Sequence, residues 1–177
     1  MGKTKIVLDA DVVIDFKDAG RLFDLPRILP KYEFVILDIV MNEELGRWPE
    51  TRDYINHRIE WFKNGPNISV INWIPTSEER LIYATLLQTK GKGESACMAY
   101  CQTHKDVLAS CNLRDTKKYC EENGIRYLTF HDLLWYAYKN RVMTAEECNQ
   151  SIKEVIEKGN RIPTTKIEQY KPTVESL

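Results

Sequence analysis

Asp9 is the first polar residue after the apolar run Ile6-Val7-Leu8, and the helical pattern Val12-Val13-Ile14-Asp15-Phe16 starts almost at once. An acid so placed sits at a strand-to-helix switch, where α/β sheets carry their chemistry. Glu43 and Glu44 in DIVMNEEL, Glu94 in GKGESACMAYC and Asp115 in VLASCNLRD each lie beside or inside a further predicted helix. Strands of one parallel sheet end on the same side, so acids far apart in sequence can converge there. Gathered carboxylates repel one another, and a site holding three or four is stable only if some protonate or a cation neutralises them. A cation is the better account. Oxygen-only ligands suit a hard ion, Mg²⁺ or Mn²⁺, which keeps part of its water shell and can bridge phosphate oxygens.

The elements that must position these acids alternate between strands and helices. Lys5–Leu8 reads as a strand and residues 10–17 as a helix; residues 34–37 form a short strand, with a helix from about Ile39. Residues 54–62 are amphipathic, with Ile55, Ile59 and Phe62 on one stripe. Asn64-Gly65-Pro66-Asn67 breaks the chain before an apolar strand over residues 68–74, and Thr76-Ser77-Glu78-Glu79 is a capping box for a helix carrying Leu81, Leu86 and Leu87. Lys90-Gly91-Lys92-Gly93 turns into the helix of Glu94. Val107–Ala109 is a strand, residues 112–122 a helix closed by Asn123-Gly124, and residues 125–130 the last strand. Helices over residues 131–139 and, after a second capping box at Thr144 and Glu147, 145–158 complete the set. Gly159 ends the last helix, and the tail beyond it carries two prolines and little periodicity. The alternation predicts right-handed crossovers and a parallel sheet covered on both faces.

A chain of 177 residues, 43% hydrophobic and 29% charged, suits one domain with one core. No apolar run approaches the roughly 18–20 residues that span a bilayer, and Lys3 and Lys5 lead straight into a strand, so a cytoplasmic protein is expected, with no membrane partner. Five cysteines argue against a disulfide framework, and Cys97 and Cys101 share a helix face without the further ligands that zinc needs. The formal charge of −1 excludes a polyanion binder that works through bulk positive charge. Nucleic-acid contacts must be local. Candidates are Arg47, Arg52 and Arg58 after the second acid pair, Lys90 and Lys92 before Glu94, and Arg114, Lys117 and Lys118 after Asn112. Solvated helix faces are the plainer reading of any single one.

Together these segments resemble the PIN domain, a family of metal-dependent nucleases, from about Lys5 to about Met143. KIVLDADVVID is similar to the family's opening strand and helix, VMNEEL to its second-acid helix and GKGESACMAYC to its third-acid helix. VLASCNLRDTKKYCEENGIRYLTFHDLLWYAYKNRVMT is similar to its last two strand–helix units. The resemblance implies a three-layer α/β/α fold around a parallel sheet of about five strands over residues 1–143. Residues 144–177 then add a C-terminal helix and tail, packed on that domain or projecting from it. It carries the family's site onto Asp9, Glu44 and Glu94, with a fourth position at Asn112. Glu44 is preferred to Glu43 because the family's acid directly precedes an aliphatic residue, here Leu45. Many relatives have Asp where this chain has Asn112, and Asp115, one helical turn on, is the candidate for the missing charge. Asp9 and Glu94 are the first metal ligands expected, with Glu44 binding directly or through water and Asn112 offering a carbonyl oxygen. Ser110, Arg114, Lys92 and Arg47 are the expected substrate contacts.

The activity so implied is Mg²⁺- or Mn²⁺-dependent cleavage of RNA, single-stranded or structured, leaving a 5′-phosphate and a 3′-hydroxyl. A metal-held water is the expected nucleophile. By analogy with small stand-alone relatives, the protein would be a toxin restrained by an antitoxin protein, and a homodimer is a further expectation. Each residue also has a plainer role. Asp11 reads as the cap of the first helix, Glu43 as a solvated neighbour, and Glu94 as an acid favoured by the helix dipole. Ser110 either orients Asp9 or caps a helix; His57, His104 and His131 read as structural. Trp48, Trp61, Trp73 and Trp135 read as core or interface, with Trp48 standing close to Glu44. VLDADVV also fits the haloacid dehalogenase pattern, with Asp9 as phosphorylated nucleophile, Asp11 as acid/base and Ser110 on phosphate. That pattern lacks its later lysine and acidic pair here and leaves Glu44 and Glu94 without roles. A third reading is a non-catalytic PIN-like module that binds nucleic acid or a partner.

Overall fold

Ile6, Val7 and Leu8 are completely buried, as a strand covered on both faces requires. The structure is a computed structural model and describes residues 2–61 and 67–177, the side chains of residues 113–115 excepted. Strands β1 (Lys5–Leu8), β2 (Glu33–Leu37), β3 (Ile68–Ile71), β4 (Val107–Ala109) and β5 (Tyr127–Leu128) form one parallel sheet in the order β3-β2-β1-β4-β5. Helices α1 (Ala10–Asp18), α2 (Leu25–Ile28), α3 (Pro49–Trp61), α4 (Ser77–Leu86), α5 (Lys92–His104), α6 (Leu113–Asn123), α7 (Phe130–Lys139) and α8 (Ala145–Glu157) flank it, giving the three-layer α/β/α arrangement expected. α5 packs across β1, β2 and β4 with α4 against it, while α1, α7 and α8 pack on one another. The rings of Phe16 and Phe130, both buried, meet at 4.7 Å where α1 crosses α7.

Local signals account for most element ends. Both predicted capping boxes form: Thr76 N–H donates to Glu79 Oε2 at 2.7 Å and Thr144 N–H to Glu147 Oε2 at 2.8 Å. Gly124 closes α6 with φ 65°, a left-handed conformation that glycine adopts without strain. Four expectations are corrected. The helix expected from about Ile39 is instead a turn of π-helix, Val40–Glu44, followed by a 3₁₀ turn, Leu45–Arg47. α3 begins at Pro49, a residue suited to a first helical position, well before residue 54. β3 ends at Ile71, because Trp73 N–H leaves the ladder to donate to Asp38 Oδ1 at 3.0 Å. β5 ends at Leu128, because Thr129 and Asp132 form a third capping box that starts α7 at Phe130. Phe62 and the break at residues 64–66 lie outside the described residues.

The segment after β5 stays on the same body. α8 packs against α1 and α7, Ile167 is buried, and Tyr170 and Thr173 bond to Asp132 on α7. The tail is therefore packed rather than projecting. All five cysteines are free thiols. Among the described residues no helix is long and apolar enough to cross a membrane.

Candidate active site

The chain leaves β1 toward β2 on one side and returns to β4 on the other, so the order in which parallel strands are added reverses between β1 and β4. The crevice at the carboxyl ends of two such strands is where an open α/β sheet binds its ligands. Asp9 and Ser110 are the first residues past those ends. Their backbones extend the ladder, Asp9 N–H to Ala109 O at 2.9 Å and Ser110 N–H to Leu128 O at 3.0 Å, which fixes Asp9 in the crevice wall with Ser110 behind it.

Asp9 is 4% exposed. Its Oδ1 accepts from Ala10 N–H at 2.8 Å and its Oδ2 from the Ser110 hydroxyl at 3.2 Å. Asp9, not Asp11, is thus the N-cap of α1. Asp11 instead ties α1 to the chain after β4: its Oδ2 accepts from Cys111 N–H at 2.9 Å and from the Ser110 hydroxyl at 3.3 Å. The one Ser110 hydroxyl proton is thus within reach of both aspartates and serves one of them at a time. Burial, then the charges of Asp11 and Glu44, hold the Asp9 carboxyl well above its ordinary pKa; the Ala10 N–H opposes them and Glu94 adds to the rise. Burial also raises Asp11, against the N–H groups of Cys111 and Val12 and the Ser110 hydroxyl. Deeper along α1, burial pushes Asp15 to about 6, although the Cys111 thiol donates to its Oδ2 at 3.2 Å.

Glu44 closes the π turn and its Oε1 accepts from Gly93 N–H at 2.8 Å. Glu94, in the first turn of α5, accepts on Oε1 from Asn112 Nδ2 at 3.1 Å and from Thr116 Oγ1 at 2.9 Å. Lys90 Nζ stands 3.9 Å from the same oxygen with only 9% of its side chain exposed. Its place is on Glu94 rather than in open solvent. Glu43 is exposed and pairs with Lys92 at 2.8 Å, the surface role expected of it.

Asp9, Glu44, Glu94, Asn112, Arg47 and Lys92 share the wall of one cleft of about 750 Å³. Ser110 sits beside it, behind Asp9. The side chains of Arg114 and Asp115 lie outside the described residues. Other predicted basic contacts are engaged elsewhere: Arg52 with Asp53, Arg58 over the Phe23 ring at 5.3 Å, and Lys117 and Lys118 with Glu121 and Glu122. Each acid of the cleft has its own hydrogen-bond donor, and among the described residues no three His, Cys, Asp or Glu side chains are close enough to hold an ion as they stand. Thr116 and Gly93 escape sequence reasoning as site residues. The signal for Thr116 was its spacing, four after Asn112, which puts both on one face of α6. The chain matches no family model and no curated protein.

Proposed function

We propose that this chain is an RNA-cleaving phosphodiesterase of the PIN-domain kind, dependent on Mg²⁺ or Mn²⁺. The observation that carries the reading is the meeting of Asp9, Glu44, Glu94 and Asn112, from four separate elements, on one cleft at the reversal point of a parallel sheet. The donor set suits a hard divalent cation because every candidate ligand is an oxygen. Burial first, and then the charges of Asp11 and Glu44, raises the proton affinity of Asp9, and a cation would offset the second of these. Asp9 and Glu94 would hold it, with Glu44 direct or through water and the Asn112 carbonyl completing the set. When bound, such an ion supplies an acidified water and neutralises charge on the departing 3′-oxygen. The rest falls to the chain: Ser110 and the Ala10 N–H hold Asp9 in one orientation, and Arg47 and Lys92 flank the path of a phosphate backbone. The resemblance further suggests a toxin held in check by an antitoxin protein; a cytoplasmic location and a homodimer are separate expectations.

One observation favours the reading as a binding module without catalysis: Glu94 is already held by Asn112, Thr116 and Lys90. One assay separates the two. A nuclease cleaves labelled single-stranded RNA in Mg²⁺ or Mn²⁺, stops in EDTA and leaves 5′-phosphate ends, and Asp9→Asn abolishes cleavage while the protein stays folded. A binding module retains the RNA on a filter uncut. Release of inorganic phosphate from a monoester would instead favour the dehalogenase-like reading. Cleavage by Asp9→Asn at the wild-type rate would overturn the site.

A further inference from the structure

A second cleft, of about 620 Å³, adjoins the acid cleft, and the two share Asp11, Ile14, Trp48 and Asn112 in their walls. The remaining wall of the second cleft is Asp15, Lys17 and Asp18 of α1, Glu50 and Thr51 of α3, Cys111, and the turn after α8, residues 158–161. Its acids thus lie on the α1 and α3 side, and the cations Lys158 and Arg161 on the turn. Gly159 makes that turn with φ 92°, and Asn160 Nδ2 anchors it to Asp18 Oδ2 at 3.0 Å. Trp48 is 46% exposed, a large apolar ring left half in water on the boundary between the two clefts. Among the described residues no hydrogen bond or ion pair engages the side chains of Arg47 on one side, or of Lys158 and Arg161 on the other.

We infer that the second cleft is a nucleobase subsite for single-stranded RNA, in which the nucleotide beside the scissile phosphate stacks its base on Trp48 while Lys158 and Arg161 hold the next phosphate. This rests on reading the acid cleft as the nuclease site. A chain whose phosphate lies over Asp9 and Glu94 has to continue past the cleft rim, and Trp48 is at that rim. An unpaired base offers a flat π face to the indole, whereas a paired base has no face free to enter. The uncommitted cations at both ends match a backbone running from Arg47 to Arg161. The turn after α8 thereby becomes part of the substrate path.

The test uses the full chain and a short 5′-labelled oligouridylate in EDTA at low ionic strength, with binding read by fluorescence anisotropy. Trp48→Leu should weaken binding about tenfold and Trp48→Phe only slightly, since stacking needs a ring and not an indole. Lys158→Ala combined with Arg161→Ala should weaken binding and lower the slope of log affinity against log salt by about 1.4, the value for two charges on a single strand. Unchanged melting of these variants excludes misfolding as the cause. Equal binding by wild type and Trp48→Leu, or no RNA bound by wild type, overturns the subsite. Cleavage in Mn²⁺ is scored separately: wild-type cleavage with Trp48-independent binding refutes the subsite and leaves the nuclease standing. Trp48-dependent binding without cleavage supports the subsite and refutes the nuclease.

Discussion

The Glu44 carboxylate rests against Gly93. Its Oε1 accepts the Gly93 N–H at 2.8 Å, and a Cβ placed on Gly93 would fall 2.5 Å from that oxygen. Glycine is needed here for the space the opposing acid occupies, since Gly93 lies in an ordinary first helical turn. Gly93→Ala should therefore keep the fold, because the obstacle is the end of a flexible side chain and alanine favours a helix by up to about 1 kcal/mol. Displacing Glu44 should lower cleavage at least about tenfold, a loss of roughly 1.4 kcal/mol of transition-state stabilisation. Wild-type turnover in this variant would remove Glu44 from the site.

Asp9 supplies a test for the cation that does not depend on activity. Its folded pKa lies above the ordinary value, so the folded state binds the proton more tightly than the unfolded chain. The stability associated with that proton is full below the ordinary carboxylate range and is lost as pH rises from that range up to the raised folded value. Asp9→Asn should thus melt higher than wild type at neutral pH in EDTA, with the gap closing below about pH 4. Excess Mg²⁺ or Mn²⁺ should raise the wild-type midpoint and leave the variant's nearly still. A wild-type midpoint indifferent to divalent ions would refute the metal.

Asp15 gives the same sign with a defined window. Its carboxyl, raised to about 6 by burial, costs the folded state stability as pH climbs from about 4 to about 6. Relative to Asp15→Asn, wild type should lose up to roughly 3 kcal/mol across that interval and no more above it, as read by urea unfolding at a series of pH values. A constant difference at every pH would show that Asp15 titrates normally.

The strand ends that carry Asp9 and Ser110 are legible in the sequence because a strand buried on both faces is a continuous apolar run, and the first polar residue marks its exit. The π turn bearing Glu44 is not legible, since VMNEEL has ordinary helical periodicity and no residue type announces a widened turn. Phe130 reads as strand by its aromatic character, yet the capping box of Thr129 and Asp132 assigns it to a helix. The approach of Lys90, Asn112 and Thr116 to one oxygen of Glu94 joins distant segments, which periodicity cannot express. The tail shows no period because side-chain bonds to α7 hold it, not packing of a regular face.

Asn112 donates to Glu94, so Asn112→Asp replaces a hydrogen bond with two facing carboxylates. In EDTA the variant should lose roughly 1 kcal/mol of stability. Mn²⁺ should restore it and bind more tightly than to wild type, because the added charge sits beside the cation. Titration calorimetry showing equal or weaker Mn²⁺ binding would exclude position 112 from the ligand set.

Asp132 holds the C-terminal segment to the body. The carboxylate is fully buried and accepts four hydrogen bonds, from Thr129 N–H and Oγ1 at 2.8 Å each, from the Tyr170 hydroxyl at 3.0 Å and from Thr173 N–H at 2.7 Å. Asp132→Ala leaves those donors without their acceptor and opens space in α7. With each buried unsatisfied donor costing about 1–3 kcal/mol and some regaining water, a total loss of roughly 3 kcal/mol is expected in urea unfolding. The cost should fall first on the tail, whose other ties to α7 include bonds from Tyr136 to the Val174 carbonyl and from Lys139 to that of Glu175. Limited proteolysis should therefore cut Asp132→Ala within the last dozen or so residues, at protease levels that leave wild type whole, while the body of the chain survives. Tails equally resistant in the two proteins would mean that packing of Ile167 against α7 and α8, rather than the bonds to Asp132, keeps this segment in place.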